Sequence, residues 1–207
     1  MKRICLIFLS LLLSAALSAA EKGAWYGHWD YGVQWGYTAN LAEIYHYNYT
    51  SPSLGARIDT RDRRLTYKSN GLLMAFAGVK FAHHYAVDAM AGWAGLFEGR
   101  RMFPVTLRSS YFFNAYDRDG WKAFLEGGCC LGQSFAGKAV GIAKAGTGYR
   151  VMLDRHLALD LSLSLQGVLD HPVDVYDRNR GEAVPDRNLR RSDCGYVGLN
   201  FTVALSF

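Results

Sequence analysis

Apolar residues recur at every second position along most of this chain, and that period limits the fold more than any other feature. From Leu157 to Leu165 leucine fills every odd position, with Ala158, Asp160, Ser162 and Ser164 between. A helix would need spacings of three and four. A spacing of two places all these leucines on one face of a strand. The last segment, "GYVGLNFTVALSF" from Gly195 to Phe207, repeats the pattern. Val197, Leu199, Phe201, Val203, Leu205 and Phe207 alternate with Gly198, Asn200, Thr202, Ala204 and Ser206. A soluble domain commonly ends in a polar, frayed tail; this one ends on an aromatic residue.

Turn signals divide the chain into eight such segments. They are Trp29 to Tyr47, Leu72 to Phe81, Tyr85 to Phe97, Phe103 to Tyr116, Trp121 to Ser134, Ala139 to Met152, Leu157 to Val168 and Gly195 to Phe207. "DRDG" (Asp117 to Gly120) and "DRH" (Asp154 to His156) are tight turns between polar and apolar runs. In the second segment Leu72, Met74 and Phe76 compete with Leu73, Ala75 and Val79 for the apolar face. The connections alternate in length. Long ones, Asn48 to Asn70 and Leu169 to Cys194, follow segments one and seven, while those after segments two, four and six are short. Short turns on one side and long loops on the other is the arrangement of outer-membrane barrels.

The N-terminus reads as a cleaved secretory leader over residues 1–20: Lys2 and Arg3, an apolar stretch from Ile4 to Leu17, then Ser18-Ala19-Ala20. Cys5 has no small-residue site before it, so no lipid anchor is expected. The remaining 21–207 suits one domain. The formal charge is +5, two units of which lie in the leader; with no basic stripe in an exported chain, nucleic acid is not an expected partner. No segment after the leader approaches the 18 or so continuous apolar residues of a spanning helix. A membrane could then be crossed only by a closed barrel, because lipid cannot satisfy an open sheet edge. Tyr31, Tyr85, Trp121 and Phe207 fall near one set of strand ends, and Trp93, Phe97 and Phe103 near the other. Both sets suit aromatic anchors at the bilayer surface. Cys129 and Cys130 are adjacent and so point to opposite faces; we expect separate buried thiols, with a Cys130–Cys194 bond as the alternative. No spacing resembles a zinc site, and neither a catalytic residue nor a cofactor is expected.

The segment "AGTGYRVMLDRHLALDLSLSL" (Ala145 to Leu165) and the ending "FTVALSF" resemble the small eight-stranded outer-membrane barrels of Gram-negative bacteria. These are OmpA/OmpX-like in architecture, and the likeness is greatest to the "outer membrane protein beta-barrel" family. The resemblance implies an all-β, eight-stranded antiparallel up-and-down transmembrane β-barrel with extracellular loops and periplasmic termini. It also implies that Phe201, Val203, Leu205 and Phe207 form the signal read by the barrel-assembly machinery. It says far more about place and fold than about activity.

With odd positions facing lipid in segments three to eight, the even positions fill the lumen. Asp88, Glu98, Arg108, Glu126, Lys144, Arg150 and Asp160 then form an internal charge network, paired because an isolated charge there costs several kcal/mol. Eight strands leave an interior that side chains fill, not a diffusive channel. The two long connections are dense in Arg and Asp. Arg187, Arg190 and Arg191 suit contact with lipopolysaccharide phosphates, which the planar guanidinium matches bidentately. The expected role is structural or interactive, through these loops, with outer-membrane lipid and lipopolysaccharide as partners. One alternative is a lipid A-modifying outer-membrane hydrolase. "YKSNG" (Tyr67 to Gly71) distantly resembles the His-x-Ser-Asn motif of lipid A deacylases, but Tyr67 stands where the histidine general base belongs. His83 and His84 fall at a periplasmic turn, while His46 and His171 have no evident partner. A third reading is a soluble periplasmic barrel holding a small apolar ligand. Heat-dependent gel migration separates that reading from both membrane readings, and a lipid A profile separates the enzyme from the structural barrel.

Overall fold

The computed structural model describes residues 28–81, 83–97, 100–132, 134–177 and 181–207. The leader expected at 1–20 and Glu98 lie outside the described residues. Eight strands follow one another: β1 (His28–Thr50), β2 (Arg57–Phe81), β3 (Tyr85–Phe97), β4 (Arg100–Phe112), β5 (Gly120–Leu131), β6 (Val140–Asp154), β7 (Leu157–Asp170) and β8 (Leu189–Ser206). Each pairs antiparallel with the next, and β1 pairs with β8, so the sheet closes on itself in sequence order. This is the all-β up-and-down barrel that the alternation predicts. Closure removes the sheet edges that would otherwise need covering.

The pleat sets the two faces. In β7, and in β8 from Ser192 onward, even positions are buried and odd positions half-buried or exposed. The same parity holds in β3 to β6, where Asp88, Met90, Arg108, Phe124, Glu126, Lys144 and Arg150 all point inward. In β2 the competition resolves in favour of Leu72, Met74 and Phe76 inside, with Leu73 outside. In the lumen these three pack with Met90, Ala94 and Ala204. Phe76 lies directly across the lumen face of β1, where a Cβ on Gly32 would come within 2.6 Å of its Cζ. Phe124 covers Gly146 in the same way, at 2.8 Å. Missing side chains in the glycine-rich walls thus make room for large rings from neighbouring strands.

The strand limits correct several expectations. The fourth and fifth segments stop at Phe112 and Leu131, before Tyr116 and Ser134. Beyond Phe112 the chain turns, and its amides bond to the β2–β3 turn instead: Phe112 N–H to His84 O (2.7 Å) and Tyr116 N–H to His83 O (2.8 Å). More consequentially, Arg57 to Asn70 is not a loop but the first half of β2, paired with β1 from Thr50↔Arg57 to Thr38↔Asn70. Likewise β8 begins at Leu189, not Gly195. The β1–β2 hairpin and β8 rise beyond the end of β3 and β4. There Arg and Asp are spread over both faces of β2, with Leu65 and Tyr67 exposed on the outer one and Ile58 packed against the buried Tyr49 cluster on the inner, so the period-two signature is broken.

The described residues of the long connection that remains, 171–177 and 181–188, fold over this end of the barrel. Tyr176 bridges Ala183, and Val175 and Val184 pack with Tyr49 and Leu189. Ser51 Oγ donates to Asp177 Oδ2 at 2.5 Å, tying the connection to the β1–β2 turn. Beneath it Met102, Cys130, Val140, Ile142, Val168, Cys194 and Tyr196 form an apolar layer across the mouth. All three described cysteines are unbonded, and Cys129 is exposed. The expectation that Cys129 is buried fails because its odd position places it on the outer face.

Candidate functional site

The lumen's charges are arranged by register. Asp88 lies opposite Arg108, Arg108 opposite Glu126, Glu126 opposite Lys144, and Lys144 opposite Gln166. Negative and positive groups therefore alternate across four strands at the cross-strand spacing where side chains meet. Glu126 is the hub. Its Oε2 accepts from Arg108 Nη2 at 2.6 Å and Nε at 3.1 Å. Its Oε1 accepts from Lys144 Nζ at 2.8 Å and Thr106 Oγ1 at 3.0 Å. Arg108 bonds Gln34 Oε1 through its remaining nitrogen, Nη1, at 2.7 Å and lies over the Phe124 ring at 4.5 Å. Closer to the end that carries the strand termini, Arg150 grips Asp160 through two bonds of 2.7 and 2.8 Å. Lys122 Nζ joins the same carboxylate at 2.6 Å. Asp30 pairs with Lys80 at 3.0 Å.

Arg108, Glu126, Lys144, Arg150 and Asp160 of the sequence-derived set thus come together in two clusters. Asp88 faces the same space, but its Oδ1 is buried without a hydrogen-bond partner. Lys122 and Gln34 belong to these clusters, with Asp30, paired to Lys80, bordering the space between them, and none of the four was in that set. The parity rule that selects Glu126 also selects Lys122, and the one that places Gln34 inward also places Asp30. Lys80 depended on the unresolved register of β2. Between the clusters a cavity of about 10 Å³ is left, bordered by Asp88, Arg108, Lys122 and Arg150 among others. That is room for about one water.

The outer face is the inverse. Trp29, Tyr31, Val33, Trp35 and Tyr37 of β1 and Leu161, Leu163 and Leu165 of β7 are all exposed, as are Val197, Leu199 and Phe201 of β8. Aromatic side chains line the terminal end of this belt. Tyr31 stacks with Phe207 (6.0 Å), Tyr85 tilts against Tyr111 (5.0 Å), and Trp121 meets Tyr149 edge-on (5.4 Å). Trp93 and Phe103 are exposed toward the other end; the Phe97 side chain lies outside the described residues. In the terminal motif Phe201 and Phe207 are exposed, with Val203 and Leu205 on the same face.

Arg187 sits in the short turn Asp186–Asn188. Arg190 and Arg191 begin β8, where a register shift opposite Asn48 and Tyr49 leaves both exposed. Arg191 bonds to Asp193, which also receives Lys138 Nζ at 3.3 Å and His171 Nδ1 at 2.9 Å. Burial pushes the Asp193 carboxyl up, but the bonds from Arg191 and Lys138 outweigh it and hold the group below the ordinary range. His46 Nε2 contacts Asp59 Oδ1 at 2.8 Å, and that bond keeps Asp59 below the ordinary range as well. His84 Nδ1 meets the carbonyls of Phe112 and Asn114. Among the described residues no histidine reaches a serine hydroxyl; Ser69 lies on the outer face of β2, next to the exposed Tyr67.

The closed ring is similar to solved structures of outer-membrane proteins. The outer membrane protein OprG from Pseudomonas aeruginosa aligns over 87% of this chain and 97% of its own, with a TM-score of 0.50 and 12% identity. The fold is that of an outer-membrane β-barrel. Neisserial surface protein A aligns over 84% of this chain and 96% of its own (TM-score 0.30, 11% identity). Outer membrane protease OmpT from Escherichia coli aligns over 86% and 96% (TM-score 0.35, 7% identity). No protein-family model and no curated protein sequence matches the chain.

Proposed function

We propose that this chain is an integral outer-membrane barrel with a filled lumen, and that its role is structural or interactive at the surface. The inversion of its two faces carries the reading. A continuous exposed apolar belt with aromatic side chains at its edges is stable only where the surroundings are not water. The lumen supports a non-conducting role, since most of its charges are bonded to one another and the cavity between the two clusters holds about one water. In this reading the long connection and the raised β1–β2 hairpin face outward from the cell and the termini face the periplasm. The alternating terminal strand is the segment that the assembly machinery reads.

Cell fractionation combined with gel migration tests the placement. The full chain should fractionate with the outer membrane, and its unheated band should run apart from the boiled one, because a closed barrel resists detergent until heated. Recovery in the soluble periplasmic fraction, with one band position regardless of heating, would overturn the proposal.

A further inference from the structure

Above the apolar belt, the outer face formed by β2, β1 and β8 carries a surplus of guanidinium groups. Pairing fixes its layout. Ile44 lies between Arg63 and Gly195, His46 between Arg61 and Asp193, and Asn48 between Asp59 and Arg191. Glu43 on the inner face takes Arg64 through a 2.6 Å bond, so the alternate residues Arg63 and Arg61 point outward, and both are exposed. The two acids of this face are already engaged. Asp59 is bonded by His46 and by Asn48 Nδ2 at 2.7 Å, and Asp193 by Lys138, His171 and Arg191. Among the described residues the guanidinium groups of Arg61 and Arg63 have neither an ion pair nor a hydrogen bond.

Two further observations say what fits them. First, the face continues directly into the belt: below Arg63 on the same side of β2 come Leu65 and Tyr67, both largely exposed, and then Leu73. Second, among the described residues β2 has a ladder partner on its far side only from Leu72 onward, so the strand beside Arg61 and Arg63 is an open edge, where the Arg63 N–H is taken up by Asp62 Oδ1 at 2.8 Å. Forked cations at the top of an apolar wall complement a phosphate carried on acyl chains. A soluble anion would use the cations and leave the wall bare.

We propose that Arg61 and Arg63 bind the phosphate of a membrane lipid headgroup at the rim of the barrel, with Leu65 and Tyr67 against its acyl chains. This rests on the membrane reading above and names the lipid contact within it. It places that contact on the β1–β2 hairpin, where the sequence pointed instead to Arg187, Arg190 and Arg191.

The test uses the full chain folded in phosphatidylcholine nanodiscs doped with phosphatidic acid or, separately, with lipid A. Lipid retained after transfer to neutral detergent is read by mass spectrometry. The wild type should retain the anionic phosphomonoester lipid over zwitterionic phosphatidylcholine. An Arg61→Gln/Arg63→Gln double variant should lose roughly ten-fold or more of that retention, since charge-assisted bonds are the strong ones. Arg118→Gln, an exposed arginine at the opposite end, should leave it unchanged. Equal retention by the double variant would overturn the site, as would an equal loss in Arg118→Gln. Displacement of the lipid by millimolar inorganic phosphate would overturn the lipid as ligand. Heated and unheated gels of the same samples separate the two readings. If every variant shifts and retention is unaltered, the site fails alone; if the wild type does not shift, the membrane reading fails and the site with it.

Discussion

Glu126 holds more of the lumen together than any other single side chain. It accepts from Thr106, Arg108 and Lys144 while only 1% exposed. Glu126→Gln keeps the shape but leaves two cations facing a neutral amide in a dry interior. Removing one member of a buried ion network costs about 3–5 kcal/mol, and urea unfolding in lipid vesicles should show a loss of that order. Asp117→Asn, on the exposed β4–β5 connection, should stay within about 0.5 kcal/mol of wild type. A Glu126→Gln loss as small as that of Asp117→Asn would mean that water reaches the network. Much of this network is legible in the chain, because one face of a strand is fixed by parity alone. Which charges meet is not, since that needs the offset between strands, and a one-residue slip turns every side chain to the other face. Lys80 shows the limit: its parity could not be read until Leu72, Met74 and Phe76 were known to lie inside.

At the scale of elements, the hardest segment to read was Arg57 to Asn70. Alternation appears in a sequence only when a strand has one apolar side along its length, and here charged residues interrupt both sides of β2. Its polar residues read as a loop, yet β1 pairs with it up to Thr50. The terminal strand is the opposite case, with each face exposed to a different medium and the pattern unbroken. Phe207 closes that strand onto β1: its N–H donates to Tyr31 O at 2.8 Å and its ring stacks on Tyr31. One backbone bond and one aromatic contact are together worth about 1–3 kcal/mol. Deleting Phe207 should therefore lower stability of the refolded barrel by no more than that. We expect the amount assembled in the outer membrane to fall several-fold. Quantified membrane fractions beside urea midpoints check both halves, and unchanged membrane levels would remove the assembly-signal role.

The whole molecule is a ring filled twice over, by ion pairs near the terminal end and by apolar layers beneath the 171–188 connection at the other. Purified full-length barrel in planar bilayers should therefore show no discrete conductance steps, the cavity between the two ion clusters being about 10 Å³. Regular ohmic steps from the wild type would mean that these layers move aside. The likeness to OprG, at 12% identity over 97% of that chain, fits a fold held by pattern more than by particular residues. Strand number, the antiparallel order, and which residues face outward from β3 to β8 were determined by the sequence itself, because the pleat alternates faces regardless of context. The tertiary structure alone decided the pairing offsets, and with them the Glu126 and Asp160 clusters. It also decided the raised hairpin that sets Arg61 and Arg63 above the belt. Those depend on which strand ends where beside its neighbour, and a local pattern carries no record of how far the neighbouring strand extends.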